Sequence, residues 1–312
     1  MRSALSAPSE PTRRKVAVQK RDLQVLDVFR AVRFADTATL AAILTPHPFP
    51  NQQRLRLRLP KLQRLGLIDR PARRITASEQ IEIEGEDNRR GRPQDIWALA
   101  QRGADVLGLP GDWNRNNGRL RPGAFAHPLA IARIFAVLRA AGARELISIE
   151  SWRGENTFRD RVAINGMVLP VVPDATFEIS TAARNPFRAF LEVDNSTEPL
   201  VRTDWLQSSF YKKCVAYHAY WKRVLKPHGE GAIVVLTVAR TPEAAERLRA
   251  TAARVDDGRQ GWNLFWFTSE AEIQLGEPER FLFEPIWTTV SGRRWSIFPH
   301  SQPVHTPSAL AL

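Results

Sequence analysis

Residues 171–179 read VVPDATFEI, and residues 190–198 read FLEVDNSTE. Each is an apolar run that meets acidic residues: Asp174 directly follows Pro173, and Glu192 and Asp194 fall in the next strand. A strand shows residues i and i+2 on one face, so Glu192 and Asp194 point the same way. If the two strands are antiparallel neighbours, Asp174, Glu192 and Asp194 gather around one point. Clustered carboxylate oxygens suit a hard divalent cation. Without a cation, like charges so close are costly.

Reading outward, residues 232–239 form a continuous apolar run, the pattern of a buried parallel strand. Between them the spacing predicts a helix over about 203–224. Leu206, Phe210, Tyr217, Trp221 and Val224 share one face, with Lys213 in the middle of it. A lysine on an apolar stripe needs a carboxylate partner or a function. Since this helix must pack on the sheet, Lys213 can reach the acidic cluster, where an ammonium suits charge developing on a phosphoryl group. The plain alternative is a lysine that snorkels past the aromatics into an ordinary ion pair. Helices over about 127–141 and 242–255 and strands over about 145–152, 167–179, 187–193 and 263–267 complete an α/β sandwich with a mixed central sheet, spanning 124–280. An aromatic-rich C-terminal extension, 281–312, packs back on it.

The first two-fifths of the chain differ in charge. The formal net charge is +12, and residues 1–122 hold 23 Lys and Arg against 13 Asp and Glu, so ten of the twelve excess charges lie there. A polyanion, nucleic acid above all, is the expected partner. Residues 1–20 read as a polar, basic tail. Helical spacing follows over 21–32, and Asp36 or Thr37 caps a second helix. Residues 54–59 alternate Arg with Leu like a strand, yet Leu55, Leu59 and Leu62 also fit one helix face. Pro60 opposes an unbroken helix. Two short helices precede this segment and Gly66 can stop it, so helix is the expectation. A strand at 67–70, a returning strand at 95–99 and a short helix at 101–107 follow. Three helices and a two-stranded wing over 21–107 make a winged helix-turn-helix for double-stranded DNA. Its third helix carries Arg54, Arg56, Arg58, Lys61 and Arg64 toward the major groove. Arg89, Arg90 and Arg92 lie at the wing, along phosphates or in a minor groove. The bland reading makes these arginines a solvated face, and winged helices also bind proteins. Residues 108–123 read as a linker.

Other chemistries are poorly served. The single cysteine, Cys214, excludes a disulfide framework and a Cys-based zinc site and suits a reducing cytoplasm. The polar start is not a secretory leader, and no stretch of about 20 apolar residues suggests a membrane span, so no membrane partner is expected. Cys214 with His218 is better read as a buried thiol than as a nucleophile pair. There is no H-E-x-x-H, no phosphate-binding GxxxxGK[ST] and no GxGxxG after a strand. Trp152, Trp262 and Trp266 read as core rather than as base-stacking platforms.

The order of these elements, with Pro173-Asp174 and Glu192-Val193-Asp194, resembles the PD-(D/E)XK nuclease superfamily. Over roughly residues 20–270 the chain resembles the replication-relaxation proteins of bacterial plasmids and integrated mobile elements. The stretches that carry the resemblance are RDLQVLDVF (21–29), LQRLGLIDR (62–70), DIWALAQRGADVL (95–107), His127 opening a helix, VVPDATFEI, FLEVDNSTE, and Lys213 followed by Tyr217 and Tyr220. The resemblance implies a winged helix joined to a nuclease-like domain, with Asp174 and Glu192 as ligands of Mg²⁺ or Mn²⁺. The chain departs from the superfamily at Asp194, which stands where Glu-x-Lys has its lysine. Lys213 suits the displacement of that lysine to the following helix. Glu145 and Glu150 stay open as a further acidic residue. Two functions are carried forward. In one, Asp174, Glu192 and Asp194 hold the cation and Lys213 sits near the scissile phosphate of DNA that is nicked or cut. In the other, the nuclease fold is silent and serves a DNA-bound regulator or replication accessory, docking a second copy of the chain or replication or mobilisation proteins.

Overall fold

The computed structural model describes residues 17–44, 51–71, 95–109, 125–155, 157–195, 198–229, 233–256 and 263–299. Arg89, Arg90 and Arg92, Trp262 and all but the first two residues of the expected linker lie outside these.

In the N-terminal unit, α1 (Lys20–Ala31) buries Val25, Leu26, Val28 and Phe29. A two-residue strand, β1 (Ala35–Asp36), runs directly into α2 (Thr37–Ile43). Asp36 starts that helix by accepting the Thr39 amide at 2.7 Å, which satisfies one of the unpaired N–H groups of the first turn. The Arg/Leu alternation resolves as helix: α3 (Gln52–Arg64) is capped by the Asn51 side chain and passes through Pro60. Leu55, Leu59 and Leu62 are fully buried, and their burial offsets the cost of an internal proline, about 3 kcal/mol. Gly66, at φ +68°, ends the turn after it. β2 (Ile68–Asp69) pairs antiparallel with β3 (Ile96–Leu99), and β1 pairs antiparallel with the other edge of β3, giving the order β1-β3-β2. The third strand, β1, was not expected; two residues are too few to show an alternation. α4 (Gln101–Val106) closes the unit.

The C-terminal unit is built on a mixed seven-stranded sheet in the order β12-β11-β10-β9-β8-β7-β4. Its members are β4 (Ser148–Arg153), β7 (Ala175–Thr181), β8 (Arg184–Asp194), β9 (Ile233–Ala239), β10 (Phe265–Ser269), β11 (Trp287–Thr289) and β12 (Arg294–Trp295). As the two key stretches require, β7 and β8 are antiparallel, with Ala175 opposite Leu191. β9 is buried along its whole length and runs parallel to both β8 and β10. One face of the sheet takes α5 (Ala126–Ala143) and α8 (Pro278–Phe283). The other takes α6 (Phe210–Tyr220, continued by a π-turn over Trp221–Leu225) and α7 (Pro242–Ala252). Alternation along β8 separates these layers: Ala189, Leu191 and Val193 join the α5 side, while Phe190 joins the α6 side.

Three expectations change. The apolar run 167–179 is two strands, because the strand breaks at Pro173, between Val171 and Ala175. β6 (Met167–Val171) forms a separate hairpin with β5 (Asp160–Ile164), and only β7 enters the main sheet. The helix expected from 203 begins seven residues later, where Ser209 caps it, so Leu206 lies outside it and is 92% exposed. The sheet continues past residue 280 through β11 and β12, with no break where the C-terminal extension was expected to begin.

α5 is apolar around most of its circumference and belongs to two cores. Ile131, Ile134, Val137, Leu138 and Ala141 pack on the large sheet. Ala132, Phe135 and Ala136 pack with α1, α2 and α3 of the N-terminal unit. By length and composition α5 would pass as a membrane span, but most of it is buried within the protein. A second joint lies beside it: Trp152 Nε1 donates to the Ala31 carbonyl at 3.0 Å, and Gly154 lies so close that a Cβ there would stand 2.4 Å from the same oxygen.

Candidate functional site

The carboxyl end of β8 and the start of β7 frame a cavity of about 450 Å³, lined by Asp174, Glu192, Asp194 and Lys213 together with His127, Glu198 and Ser208. The four residues read from the sequence are thus brought to one place. Asp174 is fixed by the strand pair itself. Its amide donates to the Leu191 carbonyl at 2.9 Å, and its Oδ2 accepts the Val193 amide at 2.7 Å. Its Oδ1 meets His127 Nε2 at 3.1 Å, so the first turn of α5 reaches the site from one face of the sheet.

Glu192 faces the other layer. It is only 4% exposed, with Oε2 accepting from Lys213 Nζ at 3.0 Å and Oε1 from the Tyr217 hydroxyl. Lys213 and Tyr217 stand one helical turn apart on α6, which is why both can hold one carboxylate. Lys213 also pairs with Glu198 at 3.2 Å, and the Ser208 hydroxyl donates to Glu198. Lys213 therefore sits between two carboxylates while about a third of its side chain stays accessible from the cavity.

The electrostatics follow from this packing. Burial first, then Asp174, pushes the Glu192 carboxyl up to about 7, against the lowering pull of Lys213 and Tyr217. Burial alone would lower Lys213, but Glu192, Glu198 and Asp174 more than reverse that and hold it charged. Once Glu192 is ionised, both of its oxygens accept from donors and the ion pair with Lys213 is complete. His127 is raised in net: burial opposes its charge, and Asp174, Glu155 and Glu192 outweigh burial. The Cys214 thiol is pushed well up, by burial first, which fits an inert buried residue. Farther along the same strand ends, burial raises Glu270 to about 7, although Arg133, Arg240 and His127 pull it down.

The donor chemistry around the cavity is carboxylate oxygen, which matches Mg²⁺ or Mn²⁺ better than a thiophilic metal. Each oxygen of Asp174 and Glu192 already accepts from the protein, and among the described residues no group of three or more His, Cys, Asp or Glu is set to hold a metal ion. A carboxylate oxygen has a second lone pair, so these bonds leave room for a cation as well.

Sequence reasoning gave His127 no role and missed Glu198. His127 lies 47 residues from Asp174, and nothing local links them. Glu198 closes the very stretch that was quoted, and its acidity was a usable signal.

On α3, Arg54, Arg56, Lys61 and Arg64 are exposed, with Leu57, 53% exposed, among them. Arg58 is set apart from this row. Its guanidinium grips the buried Asp22, with Nε to Oδ1 at 2.7 Å and Nη2 to Oδ2, and Nη2 also reaches the Ala17 carbonyl at 2.8 Å. This is a bidentate structural pair, and Asp22 holds Arg58 above its ordinary pKa despite burial.

No curated protein and no solved structure matches the chain. A family model does: replication-relaxation covers residues 26–236, from α1 to the middle of β9, and so takes in α3, Asp174, Glu192 and Lys213. The protein belongs to the replication-relaxation family.

Proposed function

We propose that this chain binds duplex DNA through a winged helix, α1–α4 with β1–β3, and acts in plasmid or mobile-element replication and relaxation through a PD-(D/E)XK-like centre that nicks or cuts the DNA. The observation that carries this reading is Lys213 at 3.0 Å from Glu192, on the cavity that Asp174 also lines. A lysine displaced to the helix could serve the reaction only if it met the carboxylates, and it does. Asp174 and Glu192 would hold Mg²⁺ or Mn²⁺, with Asp194 beside them. When bound, the cation would polarise a phosphoryl oxygen and lower the pKa of a water. Asp174 is kept in place by the Val193 amide and His127, and Lys213 offers a positive charge to the phosphoryl group. The exposed cations of α3 would face the duplex, while Arg58 supports the helix from within.

A second reading has its own observation. Both oxygens of Asp174 and both of Glu192 are engaged by protein groups, which suits a silent centre in a DNA-bound accessory protein. One assay separates the two: supercoiled plasmid with Mg²⁺ or Mn²⁺, comparing wild type, Asp174→Ala and Lys213→Ala. Metal-dependent nicking lost in both variants supports the nuclease. Firm binding with the plasmid left supercoiled across metals and target sequences favours the accessory.

A further inference from the structure

Between Glu198 and Ser208, two residues that line the cavity, the chain makes a loop whose ends are tied together. The amides of Phe210 and Tyr211 donate to the carbonyls of Pro199 and Leu200 at 3.0 and 2.9 Å. The tip is apolar: Leu206 is 92% exposed and Trp205 38%. Trp205 stands edge-on to Tyr211, with centroids 6.1 Å apart, and the Arg254 guanidinium covers the Tyr211 ring at 4.8 Å. Two more cations belong to the loop and the helix turn that follows it. Arg202 reaches the Gln207 side-chain oxygen, and Lys212 donates to the Trp205 carbonyl. The loop's own acid, Asp204, is turned back onto the Leu206 amide at 2.8 Å.

From this juxtaposition we infer that the loop is a platform for unpaired nucleobases: Trp205 and Leu206 stack on or wedge beside bases, while Arg202, Lys212 and Arg254 follow the phosphates. Aromatic faces interleaved with cations are the means by which proteins hold single strands without reading sequence. An exposed apolar tip beside a duplex also unstacks a base step. A purely apolar protein partner would have no use for the three cations that accompany this apolar tip. The inference rests on the nuclease-like reading of the neighbouring cavity and sharpens it. The strand delivered there is single or locally opened, so the preferred substrate is an unwound or supercoil-strained site.

The test uses the full chain without divalent metal, so that binding is read apart from cleavage. Fluorescence anisotropy compares a dye-labelled oligothymidylate, the same strand carrying abasic positions, and a duplex of equal length. Wild type is expected to bind the intact strand about tenfold more tightly than the abasic one, the scale of one stacked base. Trp205→Ala should remove that preference and leave duplex affinity within about twofold, and Trp205→Phe should restore most of it. Leu206→Ser, at a side chain outside the core, is a second variant expected to weaken only the intact strand. Equal affinity of wild type for intact and abasic strands overturns the inference. So does a Trp205→Ala variant that keeps the preference, which would make the loop a protein-docking face. If the base-dependent binding holds while the plasmid assay shows no cleavage, the platform stands and the nuclease reading falls.

Discussion

Two buried carboxylates, each held by a cation from a helix, divide the molecule between them. Asp22 in the N-terminal unit is fully buried, and its partner Arg58 closes over it, leaving 11% of the arginine side chain exposed. Glu192 in the C-terminal unit is almost as buried, but its partner Lys213 is 37% exposed and faces a cavity with Glu198 on its far side. The chemical pairs look alike. The difference lies in what the outer side of the cation meets, which is packed chain in one case and open space in the other. A planar guanidinium commits three of its five N–H donors to Asp22 and the Ala17 carbonyl, whereas the ammonium between two carboxylates stays partly open to the cavity.

The largest effect is expected from breaking the closed pair. Asp22→Ala leaves Arg58 without its carboxylate inside the N-terminal unit and should cost about 3–5 kcal/mol. Urea denaturation would show it as a lowered midpoint, and the proposed duplex binding should fall with it. A loss below about 1 kcal/mol would mean that the pair is as dispensable as a surface bridge.

Next comes the open pair, where the signature is pH rather than bulk stability. Glu192 lies near 7 in the folded chain against an ordinary 4.5, so the folded state holds a proton that the unfolded state has lost. Its contribution to stability therefore falls as pH rises from about 4.5 to about 7 and is level above that. Lys213→Met removes a group that pulls this carboxyl down, so the window should extend above 7 and the total loss should grow. Denaturation midpoints at pH 5 and pH 8 should differ more in the variant than in wild type. Glu270, raised alike in both proteins, drops out of that difference. An unchanged gap would show that Lys213 does not govern Glu192.

The smallest effect sharpens the comparison from the side of the sheet. Thr237 stands beside Glu192 across β8 and β9, and its Oγ1 is buried without a hydrogen-bond partner. Thr237→Val keeps the shape and removes that hydroxyl, so a change within about 1 kcal/mol is expected in the same denaturation assay. A larger loss would make the hydroxyl a hidden support of the carboxylate.

Much of this was legible because it rests on short periods. The two-residue period of FLEVDNSTE gave the shared direction of Glu192 and Asp194, and the apolar run at 232–239 gave the central parallel strand. The place of Lys213 on its helix face forecast its meeting with Glu192, even though that helix starts later than the pattern suggested. What escaped has a common cause in distance along the chain or in brevity. β1 and β12 are two residues each, and their neighbours rather than their own pattern make them strands. Pro173 breaks a run that reads as continuous because apolar residues flank it on both sides. His127 joins Asp174 only after α5 has packed on the sheet, and Tyr217 was read as one more aromatic when its hydroxyl was the informative atom.

The helix shared by two cores has a mechanical consequence. With 18 residues and about 1.5 Å of rise each, α5 is a strut of about 27 Å that neither unit can shed without opening its own interior. Its first turn carries His127 to the cavity, and its flank is bolted to the helices beside α3. The two units thus share one helix in their interiors rather than hanging as two tools on a string. On the proposed reading, DNA gripped at α3 would meet the cavity at a spacing that this shared helix sets.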